Sequence, residues 1–229
     1  MSTSSLQAFE AQTEPAHWLP GTPTDAVIRN DPLGWFHHAQ TADSGTSQRN
    51  VQRLAATHLS ARERGEIQTL MCHPRAPTDR RTSAFPQTDA YEWSAPTWSV
   101  MVKANQRVVT HAGIVYRVIQ VGDVRVPVGG ISGVRTLDEW RGHGYARAAL
   151  ANAVAFVAVW LWAPFAVVLC PRTDTAFYEH LGWRMVDAPI WSDQPTGRVS
   201  LANEMPMILP CQGAAEWPRG SLDLCGLPW

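Results

Sequence analysis

The stretch that decides the fold is GISGVRTLDEWRGHGYARAALANAVAFV, residues 130–157. It begins within an apolar segment, residues 124–136, that predicts a β-strand, and it ends in an alanine-rich segment that predicts a helix from Tyr145 to Trp162. The sequence RGHGYA, residues 141–146, connects the two. A loop at the start of a helix suits a pyrophosphate, because the first N–H groups of the helix lack partners and carry partial positive charge.

Individual residues of this loop fit the same interpretation. Gly142 and Gly144 allow the backbone to approach a phosphate closely, and Arg141 can add positive charge. The small Ala146 lets the start of the helix pack tightly, and His143 can contact a phosphate. A plain helix-entry loop with turn glycines is the alternative, because a short glycine motif is not specific by itself.

The segments around this unit predict a mixed sheet. Two strands joined by a turn at Asn105-Gln106 come first, and a turn at Gly122-Asp123 leads from them into the central strand. After the long helix come an apolar strand, a short helix closed by Gly182, and a last strand pair. The predicted bounds are 98–103 and 108–121 for the first strands, 165–170 for the apolar strand, 174–181 for the short helix, and 183–186 and 205–209 for the last pair. This order predicts an α+β domain with a mixed, mostly antiparallel central sheet flanked by helices.

The N-terminal part of the chain divides into an extension and the start of the domain. Residues 1–50 are polar, without sustained periodicity, and predict an extension that is partly ordered at most; residues 51–229 predict the catalytic domain. Ser60 and Glu63 have the spacing of a capping box and predict a helix that ends near Met71. The proline-rich segment 72–96 predicts a long loop, either a substrate-facing lid or a plain surface loop.

Composition excludes several classes of protein. The 229 residues include 19 lysines and arginines against 20 acidic residues, so no strong field favours nucleic acid or an anionic membrane as a partner. The four cysteines are scattered, and the first residues do not have the pattern of a secretory signal, which together predict a cytoplasmic protein. The expected partner is a small molecule.

An uncharged segment, residues 148–171, is long enough to cross a bilayer. Asn152 and Pro164 interrupt it, and Pro164 lies where a helix would end and a strand would begin. A buried helix followed by a buried strand is therefore the favoured interpretation, and a membrane helix is the alternative.

Arg141, Gly144 and Ala146 match every fixed position of the cofactor motif of the GNAT superfamily, which is Arg or Gln, two variable residues, Gly, one variable residue, then Gly or Ala. The preceding segment, 130–136, resembles the splayed strand of that family. The resemblance implies the GNAT fold and an acetyl-CoA-dependent N-acetyltransferase that acetylates a primary amine of a small molecule. It implies that the cosubstrate is held by Val134, Arg135, Thr136, Arg141, Gly142, His143, Gly144, Tyr145 and Ala146.

The resemblance also bears on acid and base catalysis. Tyr178 lies in FYEHLGW, residues 177–183, which resembles the family segment whose tyrosine hydroxyl faces the coenzyme sulfur, so Tyr178 is the predicted acid; packing against the last strand is its alternative role. Ser132 occupies the strand position where many relatives have a glutamate, and it can orient a water molecule but cannot accept a proton alone. The base is left open among the candidates Glu92, His111, Asp187, Asp193 and Glu204.

Within the superfamily, residues 55–229 resemble most closely the aminoglycoside 2'-N-acetyltransferases, which would make antibiotic resistance a role. The shared features are 138–142, the Tyr178 segment and the tail 216–220 with Trp229. The neutral Ser132 and Leu227-Pro228 depart from what a polycationic acceptor needs. Two other functions remain open, an N-acyltransferase with a longer acyl donor and a CoA-binding sensor without turnover. His37, His38 and His73 have no companions at metal-ligand spacing, so no metal is expected, and the family allows a homodimer.

Overall fold

The computed structural model describes residues 50–72, 91–211 and 215–229. Most of the predicted extension, the greater part of the predicted loop 72–96, and all three of the histidines considered as metal ligands lie outside these ranges.

The described residues form a ten-stranded sheet with three α-helices. The strands are β1 (Asn50–Ala55), β2 (Trp98–Ala104), β3 (Arg107–Val121), β4 (Val124–Thr136), β5 (Phe165–Pro171), β6 (Arg184–Met185), β7 (Ile190–Gln194), β8 (Gly197–Ser200), β9 (Glu204–Pro210) and β10 (Leu222–Asp223). The helices are α1 (Ala61–Cys72), α2 (Tyr145–Val159) and α3 (Thr175–His180). Short 3-10 turns cover Ala56–His58, Asp138–Trp140 and Arg172–Asp174.

The sheet order is β6-β9-β5-β4-β3-β10-β7-β8. β10 pairs with the end of β3, whereas β2 pairs with the first half of β3 and β1 pairs in turn with β2. Pairing is antiparallel except for β4 with β5 and β7 with β10. At the β2–β3 turn, Asn105 and Gln106 have φ values of 49° and 63°, as a two-residue hairpin turn with positive φ at both positions requires. The predicted α+β class with a mixed, mostly antiparallel sheet is therefore confirmed.

The uncharged segment 148–171 forms most of α2 and all of β5. In β5, Ala166, Val168 and Cys170 belong to the apolar core beneath α2, whereas Phe165, Val167 and Leu169 belong to the core on the opposite face of the sheet. Both faces of β5 are buried, which explains its continuous apolar sequence. No helix in the described part of the chain is long and apolar enough to span a membrane.

Two sequence predictions need correction. The long helix ends at Val159 and not at Trp162, because Trp162 takes a left-handed conformation with φ 50° and turns the chain toward β5. Four strands were also missed: β1, the hairpin of β7 and β8, and β10. β1 contains several polar residues, and β10 has only two residues and is defined by pairing with a strand distant in sequence.

Close contact between β4 and α2 yields a test. A Cβ atom added at Gly129 would lie 2.1 Å from Cγ2 of Val157 on α2, so Gly129→Ala forces the helix outward. We expect the free energy of unfolding to fall by ~1–3 kcal/mol. Gly65→Ala is the matched control, since Gly65 lies in α1 with nothing within 4 Å of its added Cβ, and it should stabilise by ~0.5–1 kcal/mol. Urea denaturation measures both, and a Gly129→Ala protein as stable as the wild type would contradict the packing argument.

Candidate active site

The site is built where β4 and β5 separate. Their parallel pairing ends at Ile131 and Val168. Beyond that point β4 stays paired with β3 as far as Thr136, while β5 stays paired with β9 as far as Pro171. A wedge-shaped gap therefore opens between the two strands, and two cavities occupy it.

A β-bulge shapes β4 at the gap. The β3–β4 register shifts between His111 and Gly113, and Gly133 on the bulged strand has φ 52°. The buried ring of His111 supports the bulge, because its Nδ1 lies 3.1 Å from the carbonyl oxygen of Gly133 and its Nε2 lies 3.1 Å from Oγ of Ser99. A carbonyl only accepts, so Nδ1 carries the hydrogen and Nε2 accepts from the serine hydroxyl.

The first cavity is a groove of about 500 Å³. It runs along the end of β4 and over the start of α2. Eight of the nine predicted cosubstrate residues line it: Val134, Arg135, Thr136, Arg141, Gly142, Gly144, Tyr145 and Ala146. The ninth, His143, is exposed and is not part of the lining. We call this cavity the β4–α2 groove.

The loop that enters α2 leaves room for a ligand. Gly142 and Gly144 have φ values of 77° and 76°, and an added Cβ at either would meet nothing within 4 Å. Gly144 is the N-cap of α2, so the first N–H groups of a 15-residue helix follow it directly. These features fit a pyrophosphate. The Arg141 guanidinium lies 2.8 Å from the Asp138 carboxylate and donates to the carbonyl of Thr136, so it also braces the turn before the loop.

The groove contains residues that the sequence analysis missed. They are Trp140, Arg147, Asp174, Phe177, His180 and Leu181. Arg147 adds a cation within the first turn of α2, directly after the motif at 141–146. The others come from the turn before the loop and from α3, and only the tertiary fold brings them to the groove.

The second cavity, of about 530 Å³, lies on the other side of the gap. Ile67 and Met71 of α1, Trp93, and Trp229 form apolar walls, and Ser132 lies on the β4 side. Asp174 and Glu204 contribute carboxylates. We call this cavity the acceptor-side chamber, or simply the chamber.

The capping box that the sequence predicted holds α1 beside the chamber. Backbone N of Ser60 donates to Glu63 Oε2 at 2.8 Å, and backbone N of Glu63 donates to Ser60 Oγ at 3.2 Å. Glu63 also pairs with Lys103 of β2 at 2.7 Å. The Lys103 and Ser60 hydrogen bonds lower the pKa of Glu63 to about 2. This fixed helix positions Ile67 and Met71.

Tyr178 lines both cavities. It lies on α3 and is 6% exposed. Its ring makes edge contacts with Phe177 and Trp183, with centroids 5.1 and 5.7 Å away. The tyrosine is therefore fixed at the junction of the groove and the chamber.

Two of the five candidate bases lie in the chamber. Glu92, Asp187 and Asp193 are exposed and do not line it. His111 does line it, but both of its ring nitrogens have partners, and burial lowers its pKa from 6.5. A neutral ring with both nitrogens engaged cannot easily accept a further proton. Glu204 is the remaining candidate.

Glu204 has the properties of a base that works near neutral pH. It is the first residue of β9 and pairs with Pro171 at the end of β5. Its Oε2 is buried and has no hydrogen-bond partner. Burial, with a further contribution from the Asp174 carboxylate, raises the pKa of Glu204 from 4.5 to about 7.

The thiol of Cys170 is the other reactive group in the chamber. Burial, with smaller effects of Asp174 and Glu204, raises the pKa of Cys170 to about 12. The thiolate is the nucleophilic form of cysteine, so Cys170 is unreactive at neutral pH. Within the described ranges no group of three or more histidine, cysteine, aspartate or glutamate side chains could hold a metal ion.

The strand β4 that separates from β5, the glycine loop that opens α2 and the tyrosine at the end of the gap are the features on which the sequence resemblance to the GNAT superfamily rests. Comparison with known proteins agrees, because residues 75–186 match the family model described as an acetyltransferase (GNAT) domain. The matched residues are just under half of the chain, and the architecture described above is that of the GNAT fold.

Several solved structures are similar to the chain, and the first of those named below supports the same fold. YhbS from Escherichia coli, a GNAT family N-acetyltransferase solved in complex with CoA, aligns with a TM-score of 0.52 at 12% identity, over 82% of this chain and 98% of its own. A GNAT family acetyltransferase from Brucella melitensis, in complex with acetyl-CoA, has a TM-score of 0.48 at 14% identity, over 76% and 94%. Escherichia coli ElaA has a TM-score of 0.47 at 14% identity, over 70% and 99%.

None of these matches identifies the substrate of this protein. Among the curated proteins, none matches the chain by sequence. The narrower resemblance to the 2'-N-acetyltransferases stays a prediction.

The raised pKa of Glu204 predicts a pH-dependent stability. The folded state keeps this proton up to about pH 7, whereas an ordinary glutamate loses it near 4.5. The stabilising contribution is therefore complete below about pH 4.5 and is lost as the pH rises through about 7, by at most ~3 kcal/mol. Urea denaturation at pH 5 and pH 8 should show a smaller loss for Glu204→Gln than for the wild type. Asp187→Asn, which changes an exposed carboxylate, should behave like the wild type; equal losses in all three proteins would contradict the shifted pKa.

Proposed function

We propose that this protein transfers the acetyl group of acetyl-CoA to a primary amine of a small molecule. The observation that carries the proposal is that one buried tyrosine, Tyr178, lines both the β4–α2 groove and the chamber. A group at this junction can reach the leaving sulfur of a donor in the groove while an acceptor occupies the chamber. The donor and the acceptor would be present together in a ternary complex.

The β4–α2 groove supplies what acetyl-CoA needs. The start of α2 after Gly144 offers N–H groups and partial positive charge to the pyrophosphate, and Arg147 adds charge beside it. The backbone of Val134 and Thr136, on the side of β4 that β5 leaves, would pair with the pantetheine arm. When bound, acetyl-CoA supplies an activated acetyl thioester.

Tyr178 would act as the general acid. A tyrosine side chain ordinarily keeps its proton at neutral pH and can give it to a forming thiolate. The contacts with Phe177 and Trp183 fix its ring, so no reorganisation is needed when the proton moves. Ser132, on the chamber side of β4, would orient a water molecule or the acceptor amine.

Direct transfer is favoured over an acyl-enzyme. The only cysteine among the described lining residues of the chamber is Cys170, and its pKa of about 12 keeps it a thiol. A covalent cysteine intermediate would need the thiolate. The amine itself is therefore the nucleophile.

Replacing the proposed acid tests its role. Tyr178→Phe should lower kcat about 100-fold or more, because a positioned acid contributes on the order of 10²–10⁴ in rate. CoA affinity by calorimetry should stay within about twofold of the wild type. Tyr116→Phe is the matched control, since Tyr116 is 44% exposed on β3 and lines neither cavity, and its activity should be unchanged. An unchanged kcat in Tyr178→Phe would remove Tyr178 from the mechanism.

Replacing a loop glycine tests the groove as the cosubstrate site. In Gly144→Ala the new methyl group points into open space at φ 76°, so it both strains the loop and intrudes where a phosphate would bind. We expect CoA affinity to fall about tenfold or more, which corresponds to ~1.4 kcal/mol. Gly197→Ala, at φ 116° in the first residue of β8, introduces similar strain away from the groove and should leave affinity unchanged. If Gly144→Ala bound CoA like the wild type, the phosphate site would have to lie elsewhere.

A further inference from the structure

We infer that the acceptor-side chamber binds a primary amine that carries one cationic group on an apolar body, and that Glu204 accepts the proton of that amine. This inference rests on the proposed function and adds a substrate class and a catalytic base to it. It is drawn from the shape, the lining and the charge of the chamber.

The walls of the chamber favour an apolar body. Ile67 and Met71 come from α1, Val168 and Leu169 come from β5, and Trp229 lies across β4. The Trp229 indole is 3% exposed and packs so closely on Gly130 that a Cβ there would lie 2.4 Å from Cε2 of the ring. A volume of about 530 Å³ accommodates an alkyl or aryl group of drug-like size. Burying hydrocarbon against such apolar walls makes the free energy of binding more favourable, whereas burying an additional unpaired charge makes it less favourable.

The charge of the chamber matches one ammonium group. Its described charged residues are Arg135, Asp174 and Glu204, which leave a formal charge of −1 when all three are ionised. Glu204 offers the buried oxygen Oε2, which has no hydrogen-bond partner. An incoming ammonium group can donate to that oxygen and relieve the cost of burying it.

A polycation fits this arrangement poorly. Each further ammonium group would be buried against apolar walls, because Asp174, the other carboxylate of the described lining, is already engaged in another interaction. The chamber therefore selects against polyamines and aminoglycosides, although both contain primary amines.

The proton balance assigns separate tasks to two residues. The amine arrives as an ammonium ion, and the Glu204 carboxylate takes one proton to give the free amine. As the new N–C bond forms and the C–S bond breaks, the Tyr178 hydroxyl gives a proton to the sulfur, and the second proton of the nitrogen restores that hydroxyl. Glu204 later releases its proton to solvent, so each turnover yields an amide, a free thiol and one proton.

Other titratable groups face the same space and need to be distinguished from Glu204. Asp174 lies near it and Arg135 lies across the gap. Burial holds the pKa of His111 below 6.5 and raises that of the Cys170 thiol to about 12, so neither titrates near 7. Because the pKa of Glu204 is about 7, the inference predicts a limb near pH 7 in kcat/KM, and the Glu204→Gln variant tests whether Glu204 is its source.

The experiment compares amines and variants at the level of kcat/KM, with acetyl-CoA as donor. Phenethylamine and hexylamine represent one charge on an apolar body, and spermidine, kanamycin and glucosamine represent polycationic or polar amines. We expect the apolar monoamines to exceed the others by about 100-fold or more, which corresponds to ~2.7 kcal/mol. Glu204→Gln should lower kcat/KM for phenethylamine about 100-fold and remove the limb near pH 7. The only pH dependence that remains should then come from ionisation of the amine itself. Glu204→Asp, which keeps a carboxylate, should restore part of the activity and the limb.

A binding measurement without turnover supplies a second readout. In the complex with CoA, calorimetric titration of phenethylamine should show at least tenfold weaker binding to Glu204→Gln than to the wild type at pH 8. Asp187→Asn, an exposed carboxylate outside the chamber, is the control and should match the wild type in every assay.

The outcomes separate the inference from the proposed function. If CoA binds but no amine on the panel is acetylated, the proposed function fails, and the calorimetric titration still decides whether the chamber binds an apolar amine. If spermidine or kanamycin is preferred, or if Glu204→Gln keeps the limb near pH 7, acetyl transfer stands and the inference is overturned. If longer acyl-CoA donors exceed acetyl-CoA whatever the amine, the chamber holds an acyl chain, and the inference is likewise overturned.

Discussion

Parallel hydrogen bonding between β4 and β5 stops at Ile131 and Val168, and both cavities depend on that interruption. A longer parallel ladder would join the ends of the strands and close the gap. Each strand instead keeps its other partner, so the backbone that leaves the ladder stays ordered while one side of it faces the gap. The bulge at Gly133, supported by the buried His111, sets the course of β4 away from β5.

The two sides of the gap differ in chemistry because different kinds of group build them. The β4–α2 groove includes the end of β4, two glycines and the start of a helix, with arginines among its lining, which suits an extended anionic ligand. The acceptor-side chamber is made of side chains, most of them apolar, with a carboxylate buried among them. Tyr178 lies at the boundary between the two cavities, and in the proposed reaction it would give a proton to the sulfur on one side and receive one from the nitrogen on the other.

Local patterns in the sequence predicted the parts of the fold that depend on local interactions. The capping box at Ser60 and Glu63, the turn at Asn105-Gln106 and the strand–loop–helix unit at 130–157 each contain their signal within a few residues. Local sequence patterns could not single out Glu204, the proposed base, from the five candidates. Its raised pKa results from burial and from Asp174, and both depend on the register of β9 against β5. The strand β10 is similar, because neighbours distant in the sequence define it.

The segments that build the chamber differ from those that build the groove, and this separation has a consequence for specificity. α1, residues 91–96 and Trp229 supply much of the chamber but none of the described lining of the groove. Trp229 is held by its own contacts, with Nε1 donating to the Val167 carbonyl at 3.2 Å and the Arg117 guanidinium 5.4 Å from its ring. Side chains on these segments can change size or charge without disturbing the loop at Gly142 and Gly144. Under the proposed function, the acceptor could therefore vary while the cosubstrate stays the same, which would explain why the motif at 141–146 indicates the donor and says nothing about the amine.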